Sequence, residues 1–103
     1  MHSVYIVGNV AAATIGEGWK DKIQAAHTYA GFLHREIASA CKLKELPAEV
    51  LINVSENGEG TSFQVGGGDV ESKTIAESII ATTEPLAWEK FITSEQAGFL
   101  ASN

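Results

Sequence analysis

The amino-acid sequence predicts a two-layer α+β domain in which an antiparallel sheet of three to four strands packs on a long amphipathic helix and a second helix. Three observations predict it. Residues 18 to 46 carry apolar side chains at the period of a core-facing helix, with Trp19, Ile23, Ala26, Ala30, Leu33, Ile37 and Ala40 in one stripe. Residues 49 to 55 and 61 to 65 alternate apolar and polar side chains at the period of half-buried strands. Between those two runs stands Asn57-Gly58, a dipeptide suited to a tight hairpin turn.

The chain opens with Val4-Tyr5-Ile6-Val7, a β-favouring run followed by Gly8-Asn9, another dipeptide that closes hairpins. A turn there predicts a second strand from Val10 to Ile15, with Ile6 opposite Ala11, Tyr5 opposite Ala12 and Val4 opposite Ala13. The competing expectation is a helical turn beginning at Thr14, whose spacing to Glu17 matches a capping box, against which stand Gly16 and Gly18.

The long helix, Gly18 to Leu46, must end before Pro47, which has no N–H to donate and disfavours a helical residue before it. His27, His34 and Cys41 border its stripe on one side and Tyr29, Phe32 and Leu43 on the other, an apolar arc too broad for one sheet to cover. At the helical rise per residue it would run roughly 40 Å. That outreaches a globule of this size, so the helix either protrudes or kinks, with Gly31 the candidate kink.

A hairpin centred on Asn57-Gly58 sets Ile52 opposite Phe63, Val50 opposite Val65 and Asn53 opposite Ser62, so that apolar faces apolar and polar faces polar. Gly66-Gly67-Gly68 then leads to Asp69, a favoured N-cap, and to a helix from Val70 to Thr82 with Ile75, Ala76, Ile79 and Ile80 inward. Pro85 ends or restarts it. A further helix over Leu86 to Ile92 and a short turn capped by Thr93-x-x-Gln96, holding Phe99 and Leu100, make a helical tail that frays at Ala101-Ser102-Asn103. The order is ββαββα-like, and no composition shift marks a linker, so residues 1 to 103 are expected to form a single domain.

With 45% hydrophobic and 19% charged residues the chain has the composition of one ordinary globule. No apolar run approaches the roughly 18 residues of a membrane span, and Met1-His2-Ser3 does not open a signal peptide. A lone Cys41 fits a reducing compartment, so the expectation is a cytoplasmic protein with no membrane partner. The net charge of −6 is concentrated late, because residues 51 to 103 hold eight acidic groups against two basic ones. Without a cluster of Lys and Arg, nucleic acid is excluded as a partner.

No acid, base and nucleophile assemble from the sequence, so no catalytic residue, metal or cofactor is expected. His27, His34 and Cys41 recur every seven residues. That is about 10 Å along a helix, too far apart for one metal ion. Cys41 reads as a small buried hydrophobe, and Trp19 and Trp88 as core aromatics. The Gly66-Gly67-Gly68 junction has the flexibility of a phosphate cradle but none of the nucleotide-binding spacings, and Asp69 and Glu71 add negative charge beside it. The run from Tyr29 through Pro47 to Val50-Leu51-Ile52-Asn53-Val54 resembles a tautomerase repeat over a small part of the chain. Position 2 is His2 rather than the amino-terminal proline on which that family's chemistry depends, so no family is assigned.

Two functions follow. The first is a small homo-oligomeric binding or assembly protein without catalytic machinery, a dimer or larger ring joined through Tyr29, Phe32 and Leu43 of the long helix and Tyr5 and Val7 of the first strand. That strand is apolar on both faces, and each face needs cover. The alternative is a small enzyme, or a binder of an anionic metabolite or nucleotide, with a pocket between subunits built from Gly66, Gly67, Gly68, Asp69 and Lys73 together with His27 and His34.

Overall fold

A computed structural model describes residues 3–15, 21–56 and 60–101, the last eight by their backbone alone. Strand β1, Val4–Ala11, leads through a short 3-10 turn, Ala12–Thr14, to helix α1, Lys22–Leu43. Strands β2, Ala48–Ser55, and β3, Thr61–Gly67, follow, and then helix α2, Val70–Ala101. The α+β class holds. The all-antiparallel sheet and the ββαββα order do not, because the three strands form one mixed sheet in the order β2-β1-β3, with β1 parallel to β2 and antiparallel to β3.

The first correction is at Gly8-Asn9, which makes no turn. β1 runs straight through both residues, and Gly8 pairs with Ile52 on one side and Phe63 on the other. A Cβ at Gly8 would lie 2.8 Å from Ile52 Cδ1 and 2.8 Å from Phe63 Cε1, so this glycine serves close packing rather than chain reversal. The expected second strand, Val10 to Ile15, is the end of β1 followed by the 3-10 turn. Thr14 lies in that turn, while its capping-box partner Glu17 falls outside the described residues, as do Gly16, Gly18, Trp19, Asn57 and Gly58.

The second correction concerns β2 and β3, which are not neighbours because β1 lies between them. Their expected pairs nevertheless share rows of the sheet: Ile52, Gly8 and Phe63 form one, Val50, Ile6 and Val65 another, and Asn53, Asn9 and Ser62 a third. A helical crossover between two strands permits parallel pairing, and α1 supplies it between β1 and β2. The other edge of β1 is thereby left for β3.

α1 begins at Lys22 rather than Gly18 because Asp21 caps it, Oδ1 accepting from the Gln24 N–H at 3.1 Å. It stops at Leu43, where Glu45 turns left-handed at φ 57 and the Leu46 N–H reaches back to the Cys41 carbonyl at 2.9 Å. Gly31 interrupts nothing and faces open space. α2 runs unbroken through Pro85, so the expected break there and the separate cap at Thr93 are both corrected. At the helical rise its 32 residues measure about 48 Å. That matches the molecule's longest extent of 48 Å, so α2 rather than α1 sets its length. Thr83 Oγ1 donates to the Ile79 carbonyl at 2.6 Å and Thr82 Oγ1 to the Ser78 carbonyl at 3.1 Å just ahead of the proline. Residues buried on both sides of it, Ala76, Ile79 and Ile80 before and Ala87 and Phe91 after, hold the helix to the core despite the one bond Pro85 cannot make.

The core occupies one face of the sheet in two clusters. At the end where β1 finishes, Val10 and Ile15 meet Ala26, Tyr29, Ala30 and Leu33 of α1 and Ala87 and Phe91 of α2. At the other end, Val4 and Ile6 meet Ile37 and Cys41 of α1 and Ala76, Ile79 and Ile80 of α2. Sheet and α2 together therefore cover Tyr29 and Cys41 of the broad apolar arc of α1, whereas Leu43 stays exposed. Tyr29, expected at the surface, is only 2% exposed, with Trp88 edge-on at 5.1 Å and Phe91 at 5.6 Å between ring centres. Among the described residues no helix is long and apolar enough to cross a membrane.

Candidate functional site

Two surfaces stand out. The first is the sheet face turned away from both helices. Because side chains alternate along a strand, it takes Tyr5, Val7 and Asn9 from β1, Glu49, Leu51 and Asn53 from β2, and Ser62 and Gln64 from β3. Leu51 pairs with Val7, and Tyr5 follows on the same face, so the three make one apolar patch. Tyr5 is 52% exposed, Val7 37% and Leu51 57%. Around it stand mostly neutral polar groups, with Asn9 Nδ2 donating to Ser55 Oγ at 3.1 Å, and one carboxylate, Glu49, which pairs with Tyr5.

The second is a cleft of about 420 Å³ at the end of the sheet where β1 and β2 finish. The turn after β1 contributes Thr14, the start of β3 Thr61, α1 Tyr29, and α2 Glu84, Pro85 and Trp88. Thr61 Oγ1 donates to Thr14 Oγ1 at 3.3 Å. Burial pushes the Glu84 carboxyl above its usual range, and no described residue forms an ion pair with it. Burial, and secondarily the Glu84 charge, push the Tyr29 phenol up to about 12, so it stays a neutral hydroxyl near neutral pH. A neighbouring hollow of about 430 Å³ is lined by Phe32, Leu86, Glu89, Lys90 and Thr93. Lys90 Nζ meets Glu36 Oε1 at 2.9 Å beside it, and the Arg35 guanidinium sits 5.4 Å from the Phe32 ring centre.

The residues singled out from the sequence are scattered. Gly67 pairs with Val4 at the start of β1, whereas His27 adjoins Ala26 in the cluster around Val10. Six residues of strand, about 20 Å, separate those two levels. His34 lies between them, and both histidines face solvent. Asp69 is committed to capping α2, its Oδ1 accepting from the Ser72 N–H at 2.7 Å, and the exposed Lys73 lies on the following turn. Gly67 and Gly68 both have positive φ, and a Cβ on Gly68 would lie 2.6 Å from Val4 Cγ1, so the loop is a joint packed on the sheet. Of the expected interface residues, Tyr5 and Val7 share the bare face and Leu43 is 84% exposed at the end of α1. Phe32 is half-buried and Tyr29 lies in the core.

Among the described residues no three His, Cys, Asp or Glu side chains converge to hold a metal. Sequence reasoning missed Glu84 and Leu51. Leu51 had a signal, since it occupies the polar phase of an otherwise alternating strand. Glu84 had none, because its neighbourhood exists only if α2 continues past Pro85.

Compared with protein-family models, with curated proteins and with solved structures, the chain matches none. Fold and surfaces together define an α+β protein with a mixed three-stranded sheet, one sheet face bare and an acidic, aromatic-walled cleft at one end.

Proposed function

We propose that this chain is a homo-oligomeric binding or assembly protein that pairs with a second copy of itself across the bare face of its sheet. The observation that supports this reading most is the patch of Tyr5, Val7 and Leu51, large apolar side chains left in water at the centre of a face. Interfaces between proteins concentrate aromatic and aliphatic groups at their centre and polar groups at their rim, which is how this face is laid out. Among the described residues its only charged side chain is Glu49. A chain of net charge −6 therefore meets its own copy across this face with little repulsion, and a basic partner would find almost nothing there to match. A two-fold axis through the patch sets each apolar centre against the other.

Light scattering at micromolar concentration tests it. The wild type should be heavier than one 10.9 kDa chain, and the double change Val7→Lys with Leu51→Lys should return it to that mass without altering its circular dichroism. A monomeric wild type would overturn the proposal. So would an assembly that survives this double change and is broken by Leu43→Glu, which would place the contact on the helix layer.

A further inference from the structure

The cleft beside Pro85 carries chemistry that self-association through the sheet leaves unused. Among the described residues its hydroxyl and carboxyl oxygens come from Thr14, Thr61, Tyr29 and Glu84, and its remaining walls are the Trp88 indole, with one N–H donor at its edge, and the Pro85 ring. No lysine, arginine or histidine is among the described residues that line it. A carboxylate drawn part-way out of water beside aromatic rings, in no ion pair with a described residue, has lost hydration without gaining a counter-charge from one. An anion here would be repelled. A neutral apolar molecule would leave the carboxylate unmatched.

We propose that this cleft binds a small primary alkylammonium ion, its NH3+ group held by the Glu84 carboxylate and the Thr14 and Thr61 hydroxyls, its methylene chain lying against Trp88 and Pro85. A primary ammonium has three N–H donors, and these three side chains offer three acceptors; the Thr61 hydroxyl, although it donates to Thr14, keeps lone pairs of its own. The hydrogen bond to the carboxylate is charge-assisted. Trp is the aromatic that best attracts a cation, and the methylenes next to the nitrogen share its charge and its affinity for the indole face. The volume leaves room for a ligand of few carbons. The position, beyond the carboxyl ends of the parallel strands β1 and β2, is where open α/β sheets commonly take ligands.

Isothermal titration of the full chain with butylamine, 1,4-diaminobutane, butan-1-ol and tetramethylammonium tests this. Both amines should bind saturably, with Kd in the millimolar range or below. Butan-1-ol should give no saturable heat, and tetramethylammonium, which has no N–H, should bind at least about tenfold more weakly. Glu84→Gln should weaken butylamine by about tenfold while keeping its circular dichroism, and Glu77→Gln, an exposed carboxylate elsewhere on α2, should leave it unchanged. Thr61→Val should also weaken it. Val7→Lys with Leu51→Lys should not, so this site and the sheet-face contact stand or fall separately. The proposal is overturned if butan-1-ol matches butylamine, if tetramethylammonium does so, if folded Glu84→Gln binds as the wild type, if Glu77→Gln loses as much, or if neither amine binds by about 50 mM.

Discussion

Ile52 and Phe63 lie two strands apart in one row of the sheet, and their side chains close over the α-carbon of Gly8 that stands between them. A methyl group at Gly8 would meet both at 2.8 Å. Alanine normally stabilises a strand over glycine by about 0.5–1 kcal/mol through backbone entropy. Overpacking a core costs about 1–3 kcal/mol, and with two neighbours pressed at once that cost wins. Gly8→Ala should therefore lose about 1–2 kcal/mol in urea unfolding. Adding Ile52→Val, which removes the pressed Cδ1, should recover part of that loss. Strictly additive losses would show that Ile52 is not what the methyl meets.

The three consecutive glycines should respond unequally. Gly66 faces open space without a positive φ, so Gly66→Ala is expected to be neutral or slightly stabilising. Gly68 combines φ +69 with a Cβ position 2.6 Å from Val4 Cγ1 and 3.2 Å from Ser72 Cβ. Left-handed backbone alone costs an alanine about 1–2 kcal/mol, and the clash adds to it, so Gly68→Ala should lower Tm by about 10 °C or more. Equal Tm values for the two variants would contradict this loop geometry.

How far the sequence foretold this structure differs from element to element. The rows containing Ile52 with Phe63 and Val50 with Val65 were legible, because alternation says which residues share a row. It does not say whether the rows touch, and inserting β1 between the strands leaves every row intact. Gly8-Asn9 reads as a turn in the sequence because glycine marks both turns and close approach, and only the bulk of Ile52 and Phe63 distinguishes them. The stripe Ala26, Ala30, Leu33 and Ile37 is legible from its helical period and is buried. What buries Tyr29 was hidden behind Pro85, since a lone missing hydrogen bond is outweighed by packing on both sides of it. The same residue concealed the cleft, whose Glu84 and Trp88 flank it.

Glu84 also makes a prediction about pH. Burial raises its carboxyl above the ordinary range, so the folded chain holds this proton more tightly than the unfolded chain does. Linkage then sets the sign: the stabilising contribution is complete below the unfolded pKa, near 4.3 for glutamate, and is lost as pH rises through the higher folded value. At neutral pH the folded chain carries an ionised carboxylate in an unfavourable place. Glu84→Gln removes that charge at nearly constant shape and should raise Tm at pH 7 to 8, by only a few degrees because the side chain is partly hydrated. The advantage should shrink as the medium is acidified and vanish below about pH 4. The same change should bring the Tyr29 phenol down from about 12, but not to its ordinary value, because burial is the larger of its two causes. Tm measured across pH and tyrosinate absorbance in alkali check both halves. An advantage that grows on acidification, or a Tyr29 titration that does not move, would mean that the Glu84 carboxyl does not sit beside Tyr29 in the folded chain.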